Sequence, residues 1–209
     1  MADVDFDQDR RKCRYDILFG PLMTDLDVDS PEVQYIFQRV MEKGAIVDST
    51  LGGLARVMPD SILLPVNNAA KSFYTPQRLS QWEQEIGEVH GKVDDLIVFL
   101  RRLMKLDYKF WKAGSILVLG SDAVSLAGEV PSLTNIDSLE LLVMASIPPL
   151  EVIKIATPNG ARSLGLVDRG NIAVGMRADL ILLNANPVED FKTIYKLRTV
   201  FKEVWILSD

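Results

Sequence analysis

Up to about residue 165, short apolar runs alternate with helical patterns. Tyr15–Phe19 is strand-like and closes on Gly20. Ser30, Pro31 and Glu32 then open a helix, with serine as N-cap, proline at N1 and an acid in the first turn. Val33, Ile36, Phe37, Val40 and Met41 recur at helical spacing and predict its apolar face. Lys43 and Gly44 end it as a C-terminal cation and a C′ glycine. Ala45–Val47 reads as a second strand, with Ser49, Thr50, Leu51, Gly52 and Gly53 at its exit. Residues 54–76, which hold Pro59, Pro65 and Pro76, read as an irregular loop.

A long helical pattern runs from about Gln77 to Lys112, weakened in its first half by Gly87 and Gly91. Val93, Leu96, Ile97, Leu100, Leu103 and Met104 make the second half strongly amphipathic. Ala113 and Gly114 stop it. Ser115–Leu119 is a continuously apolar third strand, as a parallel strand buried on both faces should be. It runs directly into Gly120-Ser121-Asp122-Ala123. Helices are expected near Ile136–Ser146, from Pro148-Pro149, and from Thr157-Pro158, where threonine would cap and proline take N1; Gly165 would close the last. Beyond Gly170 the pattern changes to short strands with turns, including Ala178–Leu183 and Val200–Leu207. These patterns divide the chain into a strand–helix region, 1–165, and a β region, 166–209. Three strand-then-helix units and a small all-β tail predict an α/β architecture, either a small open sheet or part of a barrel.

Composition narrows the chemistry. The 209 residues are 48% hydrophobic, enough to build a core and too apolar for intrinsic disorder. No run is long and apolar enough for a membrane span, and the acidic start Met1-Ala2-Asp3 is unlike a secretory leader, so a cytoplasmic protein is expected. A net charge of −6 leaves Arg10-Arg11-Lys12 and Arg101-Arg102 as solvated clusters and predicts no nucleic-acid partner. Cys13 stands alone, which excludes an internal disulfide; no nearby residues suggest a nucleophilic triad. The single histidine, His90, cannot by itself supply the imidazoles of a conventional catalytic zinc site. With Asp94 four residues on, it reads as a solvated helix pair. Thr50 and Ser121 could line a pocket mouth, although turn chemistry explains them equally well.

From about Lys112 onward the chain resembles the metal-dependent amidohydrolase superfamily, in the branch of imidazolonepropionase-like and Xaa-Pro-dipeptidase-like proteins. The resemblance rests on Gly120-Ser121-Asp122-Ala123, Leu139-Glu140-Leu141-Leu142, the run from Ile147 to Thr157, and Asn159-Gly160-Ala161-Arg162. It continues in the tail through Gly170-Asn171-Ile172-Ala173-Val174-Gly175, Ala178–Leu183 and Asn186-Pro187. It implies a partial (β/α)8 TIM-type barrel, of which residues 15–150 would be the last three βα units. Residues 166–209 would be the C-terminal part of a small β-sandwich.

The resemblance also implies chemistry. Asp122, directly after an apolar strand, matches the family's aspartate at the end of the eighth barrel strand. There it would contact a divalent metal, by resemblance zinc, and take the proton of the attacking water. The bare sequence, without the resemblance, favours reading Asp122 as a cap on the following turn or helix. The other family ligands are not matched: there is no His-x-His, and Phe19-Gly20 stands where members often carry His-Gly. Asp179 falls at a sandwich turn and reads as structural. Two expectations follow. One is a metal-dependent hydrolase of amide, cyclic-amide or Xaa-Pro bonds in a small-molecule substrate, incomplete as a catalyst without ligands from another segment or chain. The other is a truncated, metal-free relative acting as a structural or interaction protein. A partial barrel leaves strand edges unpaired, so a homo-oligomer or a complementing chain is expected.

Overall fold

The computed structural model describes residues 27–55, 72–89, 93–121, 131–203 and 205–208. Helix α1 spans Pro31–Glu42, strand β1 Ile46–Ser49 and the short helix α2 Leu51–Ala55. Helices α3 (Pro76–Val89) and α4 (Val93–Lys112) follow, then strand β2 (Ile116–Leu119). Helices α5 (Pro131–Met144), α6 (Pro149–Lys154) and α7 (Gly160–Ser163) lead into strands β3 (Leu180–Leu183), β4 (Leu197–Lys202) and β5 (Trp205–Ser208).

Helix α1 starts where its capping chemistry says it should. Ser30 accepts from the Val33 amide at 3.3 Å, Pro31 takes the first helical position, and Gly44 turns the chain out at φ +62°. Val33 and Phe37 are buried, but Ile36 keeps 56% of its surface exposed. The second strand begins one residue later than expected and extends to Ser49. The long helical stretch is two elements, α3 and α4, with residues 90–92 outside the described ones.

Strands β1 and β2 pair in parallel and in register, Ile46 with Ile116 through Ser49 with Leu119. Val47 and Leu117 share one face; Asp48 and Val118 share the other. Leu117 is fully buried in the core, together with Leu142, Ile147, Val152 and Ile155. Phe37 of α1 meets Phe110 of α4 edge to face at 5.5 Å, locking the two helices that cover the pair.

Three differences from the sequence expectation have physical causes. Helix α5 begins at Pro131, five residues early, because its first turns are held by tertiary contact. The Gly52 amide donates to Ser138 Oγ at 2.8 Å, and a Cβ at Gly52 would lie 2.1 Å from the Thr134 carbonyl oxygen, so only glycine permits this approach. Second, Thr157 caps nothing. Helix α6 runs on through a π-turn, Ile155–Asn159, that absorbs the missing amide of Pro158, and Thr157 Oγ1 donates to the Ile153 carbonyl at 2.7 Å. Third, the expected strand Val200–Leu207 is a hairpin, with Glu203 at φ +59° between β4 and β5.

The tail sheet has the order β3-β4-β5 and is antiparallel throughout. The 3-10 turn Phe191–Tyr195 before β4 buries Phe191 and Ile194 in the same core as the helices. Tyr195 Oη also donates to the Glu140 carboxylate on α5. Each described strand has a partner within the chain, and among the described residues β1, β2, β3 and β5 each have only one. Among the described residues, no helix is long and apolar enough to cross a membrane.

Candidate functional site

Parallel strands deliver their exits to one end of the sheet, and here that end is formed by Ser49 and Thr50 beside Gly120 and Ser121. The Gly120 amide donates to the Ser49 carbonyl at 3.0 Å, carrying the pairing one residue past β2. A Cβ at Gly120 would lie 2.4 Å from Asp48 Oδ1, so a larger residue there would have to displace that carboxylate. The Asp48 carboxylate therefore rests against the backbone of β2's exit, on the strand face away from the helices. Thr50 begins the turn into α2, its carbonyl accepting from the Gly53 amide at 3.2 Å.

The opposite face of β1 carries a second carboxylate. Ser49, 2% exposed, donates its hydroxyl to Asp107 Oδ2 of α4 at 2.6 Å. Burial pushes the Asp107 carboxyl up from 3.8 to about 6, against the smaller lowering effect of the serine hydrogen bond. Successive strand residues thus point Asp48 and the Ser49–Asp107 pair to opposite sides of the sheet.

Asp122, the residue singled out for catalysis and metal contact, lies outside the described residues, as do His90, Cys13 and the Phe19-Gly20 pair. The strand that leads to Asp122 is described as far as Ser121. Thr50 and Ser121 each follow one of the paired strands, at the same end of the sheet. Asp179 sits far along the chain in the tail, where it accepts from Lys202 Nζ at 2.9 Å and from the Glu203 amide at 3.1 Å. Sequence reasoning passed over Asp48 and Asp107. Asp107 had a signal: it falls four residues after Leu103 and three before Phe110, so it interrupts an apolar stripe at a core position.

The resemblance implies a divalent metal. Among the described residues, no group of three His, Cys, Asp or Glu side chains is placed to hold an ion. These residues alone do not fit a metal centre.

Solved structures share the fold. The Aspergillus niger ochratoxinase structure ("A. niger ochratoxinase") superposes with a TM-score of 0.57 at 20% identity over 84% of this chain and 34% of that one. A Xaa-Pro dipeptidase with bound methionine superposes with a TM-score of 0.58 at 19% identity, over 84% of this chain and 37% of that one. The chain shares its mixed α/β fold with these two structures. Residues 108–204 match the amidohydrolase family. Over that C-terminal portion, which is under half of the chain, the sequence is similar to the amidohydrolase family.

Two curated relatives agree. A 5-methylthioadenosine/S-adenosylhomocysteine deaminase of Pelotomaculum thermopropionicum is 35% identical over 79 residues, 35% of this chain and 18% of that protein. An imidazolonepropionase of Deinococcus radiodurans is 36% identical over 73 residues, 34% of this chain and 18% of that protein. The chain therefore spans under a fifth of these relatives' length and about a third of the solved structures'.

Proposed function

We propose that residues 1–165 form a partial amidohydrolase-type barrel, with its last three βα units in 15–150, that residues 166–209 form the C-terminal strands of its sandwich, and that the whole serves a hydrolase of carbon–nitrogen bonds. The observation that carries this reading is the in-register parallel pair β1–β2, whose joint exit leads directly to Asp122. A barrel site belongs at that end of the strands. Asp122 acts there as the general base, accepting a proton from the water that attacks an amide, cyclic-amide or Xaa-Pro carbon. A divalent ion, zinc by family resemblance, would need donors from outside this chain in addition to Asp122, supplied by a complementing chain or a second copy in the cytoplasm. The reading of a metal-free structural or interaction protein draws on one fact, the single histidine in 209 residues.

Elemental analysis of the purified chain separates the two readings from a self-sufficient enzyme. The expected result is far less than one zinc per chain and no turnover of amide, lactam or Xaa-Pro substrates by the chain alone. A stoichiometric ion with turnover would overturn the shared site. In an assembly that does turn over, Asp122→Asn is expected to lower kcat by at least about 100-fold. An unchanged kcat would remove Asp122 from catalysis.

A further inference from the structure

Between α1, β1 and α4 lies a cavity of about 330 Å³ that the hydrolase reading does not use. That size is at the lower end of the roughly 300–1,000 Å³ typical of small-molecule sites. Its walls are mostly apolar: Phe37 and Val40 from α1, Leu103 and Phe110 from α4. Its polar groups gather on one side, where Ser49 and Asp107 meet at 2.6 Å.

Asp107 gets no cation from its own helix. Lys105 and Lys109 lie two residues either side of it, on nearly the opposite helical face, and both engage Asp29, Lys105 at 2.6 Å. Helix α1 contributes Ile36, Phe37 and Val40 to the lining, and no lysine or arginine. From β1 the other ionisable lining residue is Asp48, whose carboxylate is turned to Gly120 on the far face. No cationic side chain is present among the described residues that line the cavity. A desolvated carboxyl at one side of an apolar cavity, with no cation in the lining, is complementary to a compact ammonium on an apolar body.

We propose that this cavity binds a small primary amine with an aromatic or branched alkyl body, its ammonium hydrogen-bonded to Asp107 and its apolar part against Phe37, Val40 and Leu103. The cavity shares Ser49 and Thr50 with the strand exits, but the amine's contacts, Asp107, Phe37, Val40 and Leu103, have no part in the hydrolase reading, so the proposal stands whether or not Asp122 is catalytic. Burial keeps the free Asp107 carboxyl protonated to about pH 6, and an ammonium can bind the carboxylate only after that proton leaves. Amine binding is therefore weak at pH 5 and strong at pH 8, with proton release near pH 6.

The test uses benzylamine as probe and benzyl alcohol as its neutral counterpart, titrated by calorimetry into the full chain at pH 5 and pH 8. The expected result at pH 8 is a preference for benzylamine of at least about 10-fold, lost at pH 5. Asp107→Asn, which keeps the shape and an acceptor for Ser49, is expected to erase the preference and leave the alcohol's binding unchanged. Val40→Trp, which fills the cavity, should abolish binding of both. Equal binding of amine and alcohol at pH 8, an amine affinity unchanged by Asp107→Asn, or no amine binding up to about 10 mM would each overturn the proposal.

Discussion

The helix-covered strand pair and the tail sheet use the same side chain, aspartate, to opposite ends. In the first, Asp107 is half-buried beside Ser49 of β1 and its acid form is favoured; desolvation pushes the carboxyl up to about 6. In the second, Asp179 is held below the ordinary carboxylate range, first by the Lys202 hydrogen bond and then by the Glu203 amide. Asp168 is likewise lowered, chiefly by its hydrogen bond from Arg169. Arg169 and Arg177 also approach Asp179, at 3.4 and 3.8 Å, so the tail's charges form a connected surface network. Around Asp107 desolvation makes charge costly. The tail keeps its charges wet and matches them. One residue type titrates in opposite directions because desolvation wins in one place and donors win in the other.

The largest test of that contrast is a cavity cut into the first region. Leu117→Ala removes a fully buried side chain of β2 and is expected to cost about 3–4 kcal/mol, read by urea unfolding. A cost below about 1 kcal/mol would mean that the strand pair is not the packed heart of the fold.

Asp107→Asn gives the next effect, with the opposite sign. Because the folded carboxyl titrates at about 6 rather than 3.8, its contribution to stability is present below pH 3.8 and lost as the pH rises through about 6. The variant and the native chain should be equally stable near pH 3.5, and the variant more stable by about 2–3 kcal/mol at pH 7.5. A difference that does not vary with pH would show that burial is not what shifts Asp107.

Asp179→Asn should act most weakly and with the reverse pH profile. Its depressed carboxyl contributes stability above its ordinary range, lost as the pH falls through the folded value. The variant's deficit at pH 7 should shrink below pH 3.8 and in 1 M salt, since these are exposed ion pairs. A deficit indifferent to salt would place Asp179 with Asp107 rather than against it.

What the sequence disclosed, it disclosed through local chemistry. Ser30, Pro31 and Gly44 set the ends of α1, and the continuous apolar run 115–119 announced a parallel strand before any partner was known. What it concealed depended on distant contacts. The first turn of α5 is helical because Gly52 lets α2 approach Thr134 and Ser138, residues whose own preference is for turns. Pro158 looked like a helix start, yet the chain passed it by widening one turn. Val200–Leu207 looked like one strand because the apolar run hid a reversal at Glu203. Asp48 and Asp107 escaped notice because their meaning lies in what faces them: the bare backbone of Gly120 for one, the Ser49 hydroxyl for the other. The family motif around Asp122 was legible from residue order alone; its geometry falls outside the described residues.

The register that pairs Ile46 with Ile116 also sets an order of assembly. Those partners stand 70 positions apart (116 − 46), so the parallel pair must wait for α3 and α4 to be synthesised, and closing so long a loop is slow. The β4–β5 hairpin needs only the reversal at Glu203 and closes in roughly microseconds. Yet synthesis runs from the N-terminus, and β2 emerges before any tail strand exists. The slow, long-range step is thus given its head start by position in the chain, and the fast local sheet, arriving last, docks Phe191 and Ile194 onto a core already nucleated.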